Sequence, residues 1–368
     1  MRVAQLRCDQ PTRRHTVKTV TLKDVAAAAG VSISTASRIL DERLPTSRSA
    51  SAKRVREAAE RLGYRRDAAA SALRRGDTGT VGVLVPRLSD TVMALLFEAI
   101  FSAAAARGLF ALVSVCGDDS AAEAHAVDSL LARRVDGLVL ATARLDDPLP
   151  SSLRELGVPH VLALRTDDIS PSSVCDDELG GYLATRHLLD LGHTKVAVLP
   201  GPDFASTARQ RLAGYRRAMA EADVPVPEAY VRHCGFGFTD GSAAATAVLS
   251  EAPGITAVFA ANDSLAMGTL SAAKTLGRSV PKDLSVVGYN DTPLAGQLTV
   301  PLTTVRVPFD LIAAGALDLL AAQTSGDSQV VNRVATPTLI PRSSSTSLAR
   351  RRMSKSGGNV GRALSGRP

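Results

Sequence analysis

"VTLKDVAAAAGVSISTASRIL", Val20 to Leu40, sets small and hydroxylated residues among aliphatics that recur at helical spacing. Thr21 reads as an N-cap with Asp24 three positions on. Leu22, Val25, Ala26 and Ala29 share one helical face, and Gly30 supplies a left-handed stop. Gly30-Val31-Ser32 is then a tight turn, Ser32 caps a second helix, and Ala36, Ile39 and Leu40 face back onto the first. Neither helix is long enough to bury a core alone. Val55, Ala58, Ala59 and Leu62, at i, i+3, i+4 and i+7 between Lys53 and Gly63, predict a third helix that closes on both.

The outward face of the second helix is left with Ile33, Ser34, Ser37 and Arg38. An ordinary helical hairpin has no need of such a face. In a helix-turn-helix the second helix lies in the major groove, with amino-terminal residues at base edges and helix-end N–H groups and hydroxyls on phosphates. The charge distribution points the same way. Residues 1–77 hold 17 Lys+Arg against 8 Asp+Glu, residues 78–345 hold 20 against 28, and residues 346–368 hold 6 against none. A basic amino-terminal block on an acidic body suits a polyanion-binding module joined to one that binds a neutral ligand or a protein.

Beyond residue 80 the pattern changes. "TVGVLVP" (80–86), "FALVSVC" (110–116), "VDGLVLA" (135–141), "VPHVLAL" (158–164), "KVAVLP" (195–200), "TAVFAAN" (256–262) and "LSVVGYND" (284–291) are short continuous apolar runs with Ala- and Leu-rich helical stretches between them. Runs of that kind predict buried parallel strands in a doubly wound α/β arrangement, with ligands at the carboxyl ends of the strands. There are too many for one ordinary sheet of this type, which implies two lobes.

The motifs "TLKDVAAAAGVSISTASRIL", "AAERLGY" and "ALRRG" stand in an order that resembles the headpiece of the LacI/GalR family of bacterial transcriptional regulators, and the likeness runs to about residue 346. The resemblance implies a three-helix headpiece over 19–66, a hinge helix and linker over 67–79, and a two-lobed core over 80–346 similar to periplasmic sugar-binding proteins. The lobes fall at about 80–165 with 308–334, and 176–302 with 336–346. Residues 1–18 are expected to be an arm and residues 347–368 a disordered basic tail.

Carried over by position, Ile33, Ser34 and Arg38 read bases, while Thr21, Ser32, Thr35 and Ser37 contact phosphates or cap helices, with Tyr64 also at the DNA. Leu73 stands where the family's hinge helix inserts a leucine into the minor groove. For an effector in the interlobe cleft the candidates are Asp90, Arg211, Phe236, Asn262, Asp263 and Asn290. Asp263 also reads as a helix cap and Asn290 as a turn residue. Convergent amides, carboxylates and a guanidinium suit a sugar, with a purine or nucleoside as the alternative.

The chain departs from family habit at several places, among them Arg66-Asp67, where Pro-Asn is usual after Gly63-Tyr64. Ser47-Arg48 and Ser51-Ala52 stand where Val-Ser and Thr-Arg are usual, leaving the start of the third helix open by several residues. Asp90-Thr91-Val92-Met93 lacks the aromatic pair common after the first strand, and Leu164 replaces a frequent Asp.

Other classes find little support. No G-x-S-x-G or Walker loop is present and the histidines are scattered, so no catalytic site is expected. Cys8, Cys116, Cys175 and Cys234 lie far apart without ligand spacing, which argues for reduced thiols, no metal and no cofactor. No apolar run reaches the roughly 18 residues of a membrane span. Charges throughout residues 1–18 also oppose a signal peptide. A transport-type binding protein would fit the body but not the headpiece. The reading is a cytoplasmic regulator acting as a homodimer on double-stranded operator DNA.

Overall fold

The computed structural model describes residues 20–41, 47–64, 77–117, 119–326 and 332–348. The expected arm, the hinge helix with Leu73 and most of the basic tail lie outside them. The chain divides into two compact units, Met1–Thr78 and Gly79–Pro368.

The first unit holds α1 (Leu22–Ala29), α2 (Ile33–Ile39) and α3 (Ala50–Leu62). The Asp24 carboxylate accepts from the Thr21 N–H at 2.8 Å and from its hydroxyl at 2.7 Å, closing the start of α1. Gly30 ends it with φ 64°, a left-handed turn that costs glycine nothing. Ser32 accepts from the Thr35 N–H at 3.1 Å and starts α2. α3 begins before the apolar periodicity does, because Ser49 caps it by accepting from the Ala52 N–H at 3.2 Å. Arg54 of α3 donates to the carbonyl of Ala29, satisfying an end group of α1. Val25, Ala26, Ala29, Ala36, Val55 and Ala58 form the small core, with Leu22, Ile39, Leu40, Leu62 and Tyr64 packed around it.

The second unit contains two sheets. Into the first run β1 (Thr80–Val85), β2 (Phe110–Val115), β3 (Gly137–Leu140), β4 (His160–Ala163) and β5 (Ser172–Cys175), with α4 (Thr91–Ala106), α5 (Ser120–Ala132) and α6 (Leu149–Glu155) between them. The chain then builds α7 (Asp177–Asp190), β6 (Val196–Leu199), α8 (Ser206–Glu221), α9 (Phe238–Glu251), β7 (Ala257–Ala260), α10 (Asp263–Thr275), β8 (Ser285–Asn290) and β9 (Thr303–Arg306). It returns through α11 (Phe309–Thr324) and β10 (Asn332–Ala335) and ends with β11 (Thr338–Ile340). The sheet orders are β10-β5-β4-β3-β1-β2 and β11-β9-β8-β7-β6, parallel throughout except for β11 against β9.

All seven apolar runs are strands. The lobe boundaries shift, however. β5 pairs with β4 and β10, so the first lobe extends past 165 to Cys175, and β9 pairs with β8, so the second extends past 302 to Arg306. Both strands escape an apolar reading because at least half their buried side chains are hydroxyls. Ser173 donates to the Ile312 carbonyl at 2.8 Å and Thr304 to Asp263 at 2.6 Å, so burial costs these groups little.

In the second lobe α7 and α8 touch backbone to backbone. A methyl on Gly181 would lie 2.1 Å from the Arg211 carbonyl, and one on Gly214 2.0 Å from that of Glu178. Behind them the carboxyl-terminal segment is stitched to the lobe. His193, fully buried, bonds Thr256 at 2.9 Å and the Thr346 carbonyl at 3.0 Å, and Ser344 bridges the Thr303 N–H and the Val286 carbonyl.

Candidate functional site

On the headpiece, Thr21, Ser32, Ile33, Ser34 and Arg38 are exposed, Thr35 and Ser37 half-buried. Ile33, a large apolar group, is 48% exposed at the first turn of α2 with no core contact to explain it. The Ser32 hydroxyl lies 2.9 Å from that of Ser34 and 2.8 Å from that of Thr35, so α2 starts with a cluster of hydroxyls around its free N–H groups. That arrangement suits a phosphate. Arg38, in the last turn of α2, is a solvent-facing cation on the same element. Tyr64 packs half-buried against the three-helix core. Leu73 lies outside the described residues.

In the second unit the loops at the carboxyl ends of β3, β4 and β6 meet between the lobes. The Leu145 N–H donates to the Phe204 carbonyl at 3.0 Å, and the Thr166 N–H to the Ser206 hydroxyl at 3.0 Å. Leu164 turns the chain here with φ 65°, a conformation that is strained for a branched aliphatic residue. Arg165 follows it, 8% exposed, and donates to the Thr142 carbonyl at 3.3 Å. Its guanidinium carbon lies 5.5 Å from the Phe236 ring and 5.7 Å from the Phe204 ring, while Arg144 stacks on Phe204 at 3.8 Å. Two rings and two guanidinium groups thus line the junction.

The predicted effector residues divide into three groups. Phe236 sits against Gly201, where a side chain would collide with the ring, and its carbonyl accepts from Asn262 at 3.0 Å. Asn262 also accepts from the Leu265 N–H at 2.7 Å, so it caps α10 and fixes the loop that carries Phe236. Asn290, at the end of β8, is 3% exposed and held at φ 103°. Asp90 caps α4 through the Val92 N–H at 2.9 Å, and burial raises its carboxyl against the pull of that N–H and of Arg165.

Asp263 is a correction. Its two oxygens accept from the Thr292 N–H and hydroxyl and from the Thr304 hydroxyl, at 2.7, 2.9 and 2.6 Å, and it is 1% exposed. With both oxygens engaged it ties β8, β9 and α10 together, and Asn262 rather than Asp263 caps α10. Burial pushes its carboxyl up to about 6 despite these donors.

Arg211 is also less available than its sequence context suggests. It is 5% exposed, donates to Asp177 at 2.7 Å and to the Ala261 carbonyl, and lies 3.7 Å over the Tyr289 ring. Asp177 is 1% exposed; burial pushes its carboxyl up and Arg211 pulls it down. Sequence reasoning missed Asp177, Arg165 and Phe204. The rule that ligands gather at strand ends would have found Arg165, two residues after β4, but nothing local marks Asp177 as the partner of a residue 34 positions on.

The chain is similar to known regulatory proteins over most of its length. Residues 21–67 match the model of the lacI family of bacterial regulatory proteins, and residues 185–345 match a periplasmic binding protein-like domain. The ribose operon repressor of Escherichia coli (strain K12) is 33% identical over 323 residues, which cover 87% of this chain and 94% of that protein. The crystal structure of the lac repressor dimer bound to operator and the anti-inducer ONPF superposes with a TM-score of 0.78 at 31% identity, covering 89% of this chain and all of that one. A complex of the transcriptional regulator CelR with cellobiose gives 0.68 at 30% identity over 88% of this chain and 99% of that one.

Proposed function

Because this chain belongs to the lacI family of bacterial regulatory proteins, we propose that its polar-faced α2 and its interlobe cleft are the two ends of one switch. The protein is a DNA-binding transcriptional repressor that holds a pseudo-palindromic operator as a homodimer, and a small-molecule effector modulates its affinity. It is not an enzyme. The observation that carries the reading is the exposed Ile33, Ser34 and Arg38 on a serine-capped second helix.

Dimerisation supplies a second headpiece, and two-fold protein symmetry is mirrored in the DNA. We assign the dimer contacts to α4 and α10; the exposed Phe101 on α4 and Leu276 after α10 support this. The effector is a sugar, with a purine or nucleoside as the alternative, held by Phe236, Asn290, Arg165 and the remaining N–H groups of Arg211. Asp90 lies at the edge of that site. The relatives carry the same chemistry in their names, a ribose operon and a bound cellobiose.

Effector binding changes the spacing of the two chains just before Val81. Effector and operator are coupled through that spacing. Among the described residues no helix is long and apolar enough to cross a membrane. We place the protein in the cytoplasm, where the operator is.

The test is operator selection followed by binding titrations with and without sugars, nucleosides and purines. A shift in operator affinity that is lost in Phe236→Ala supports the site.

A further inference from the structure

Along α8 runs a solvent-open depression of about 560 Å³, lined by Asp203, Arg209, Leu212, Ala213, Arg216 and His233. None of these residues belongs to the proposed effector set. Arg209 and Arg216 are seven positions apart, close to two helical turns, so they share one face of α8 about 10.5 Å apart along its axis. Leu212 and the exposed Ala213 form the floor between them, and the buried Arg211 lies on the opposite face.

The four arginines of α8 differ in their partners. Arg211 holds Asp177, and Arg217 reaches Glu178 at 2.5 Å and Glu221 at 3.8 Å. Arg209 and Arg216 are exposed, and neither has an ion-pair partner among the described residues. The Arg209 Nε–H donates to the Asp203 carbonyl at 3.0 Å, which anchors that guanidinium at the wall of the depression. The acid of the lining is already engaged, since the Asp203 carboxylate lies 2.8 Å from His233 Nδ1.

We propose that this depression is a binding site for a small phosphate monoester. Two guanidinium groups without ion-pair partners leave a surplus of two positive charges, which a phosphate monoester matches with a charge of about −1.5 to −2 near neutral pH. Its three terminal oxygens accept from two guanidinium forks at once, whereas a single carboxylate offers two. Inorganic phosphate would leave most of the volume unfilled. Sites of roughly 300–1,000 Å³ hold whole small molecules, and Leu212 with Ala213 gives an organic body an apolar floor. A nucleic-acid strand is a poorer occupant, because no Phe, Tyr or Trp lines the depression for a base to stack on.

The experiment is calorimetric titration of the full chain with glycerol 3-phosphate, ribose 5-phosphate and AMP, against glycerol, ribose, adenosine, inorganic phosphate and citrate. At least one ester is expected to bind at least about tenfold tighter than inorganic phosphate, citrate and its own unphosphorylated counterpart. Arg209→Gln and Arg216→Gln should each remove that margin, because each takes away one charge-assisted fork. Arg186→Gln, at an exposed arginine of α7 paired with Asp190, should leave it unchanged. Thermal unfolding checks that the variants fold. Inorganic phosphate binding as tightly as every ester means an adventitious ion only and overturns the proposal, as does a margin that either α8 variant retains. Should no ester bind while the double variant loses affinity for non-specific duplex DNA, the face is a nucleic-acid contact and the proposal fails. These outcomes leave the readings of the headpiece and the cleft standing.

Discussion

Replacing Arg211 by methionine removes the cation from an ion pair that the fold has already desolvated. Asp177 would remain 1% exposed with its charge unpaired, and Arg211 contributes a ring contact to Tyr289 besides. Breaking one side of a buried pair costs about 3–5 kcal/mol. A core of this size loses about 2–4 °C of melting temperature per kcal/mol, so Arg211→Met should melt about 10 °C lower. Asp177→Asn should cost a similar amount, because the guanidinium is then left with the Ala261 carbonyl. The double variant Arg211→Met with Asp177→Leu removes both charges, and replacing a buried pair by apolar residues is often neutral, so it should recover most of the loss. The assay is urea unfolding of the core by far-UV circular dichroism for wild type, both single variants and the double, with sugar titration on each. If Arg211→Met costs under about 1 kcal/mol yet abolishes sugar binding, the guanidinium serves the ligand rather than Asp177, and the argument for a structural pair collapses.

Three further outcomes follow from named contacts. Arg38→Ala should weaken operator binding by about 1–3 kcal/mol and relax one base position, whereas Ser32→Ala should weaken all sequences alike; selected sites from both variants decide this, and an unchanged base preference in Arg38→Ala removes it from the reading face. Gly181→Ala drives a methyl to 2.1 Å from a carbonyl oxygen, so α7 and α8 must part, at a cost of about 1–3 kcal/mol or more in chemical denaturation; a neutral result means the helix pair is looser than described. For Asp263 the folded carboxyl titrates near 6 and the free one near 3.8, so the folded state binds the extra proton and stability falls as pH rises between those values. The loss amounts to about 3 kcal/mol relative to Asp263→Asn by neutral pH, and a stability difference that stays flat from pH 4 to 7 refutes it.

Legibility in the sequence tracked how local the physics is. α1 and α2 could be read because caps, turn glycine and apolar face all lie within Val20 to Leu40, each acting over three or four positions. α3 was found from Val55, Ala58 and Leu62, but its start was not, because Ser49 lies outside the apolar periodicity. Seven strands were legible since burial on both faces demands continuous apolar runs. β5 and β9 were not, because Ser173 and Thr304 are buried only by virtue of acceptors 139 and 41 positions away.

The candidate site shows the same division. Asn290 stands at a strand end, where chain order points to the cleft, whereas Phe236 followed only from a family resemblance; the exposed face of α2 was legible from helical periodicity. The states of the charged groups were decided elsewhere. Arg211 reads as a free guanidinium until α7 brings Asp177 against it, and Asp263 reads as a helix cap until Thr292 and Thr304 converge on its carboxylate. The sequence by itself determined which segments are helices and strands and which helix faces outward, because periodicity and capping are short-range. Only the tertiary structure decided which polar groups are already satisfied, as at Asp177 and Asp263. Desolvation and hydrogen bonding there depend on residues brought together from distant parts of the chain.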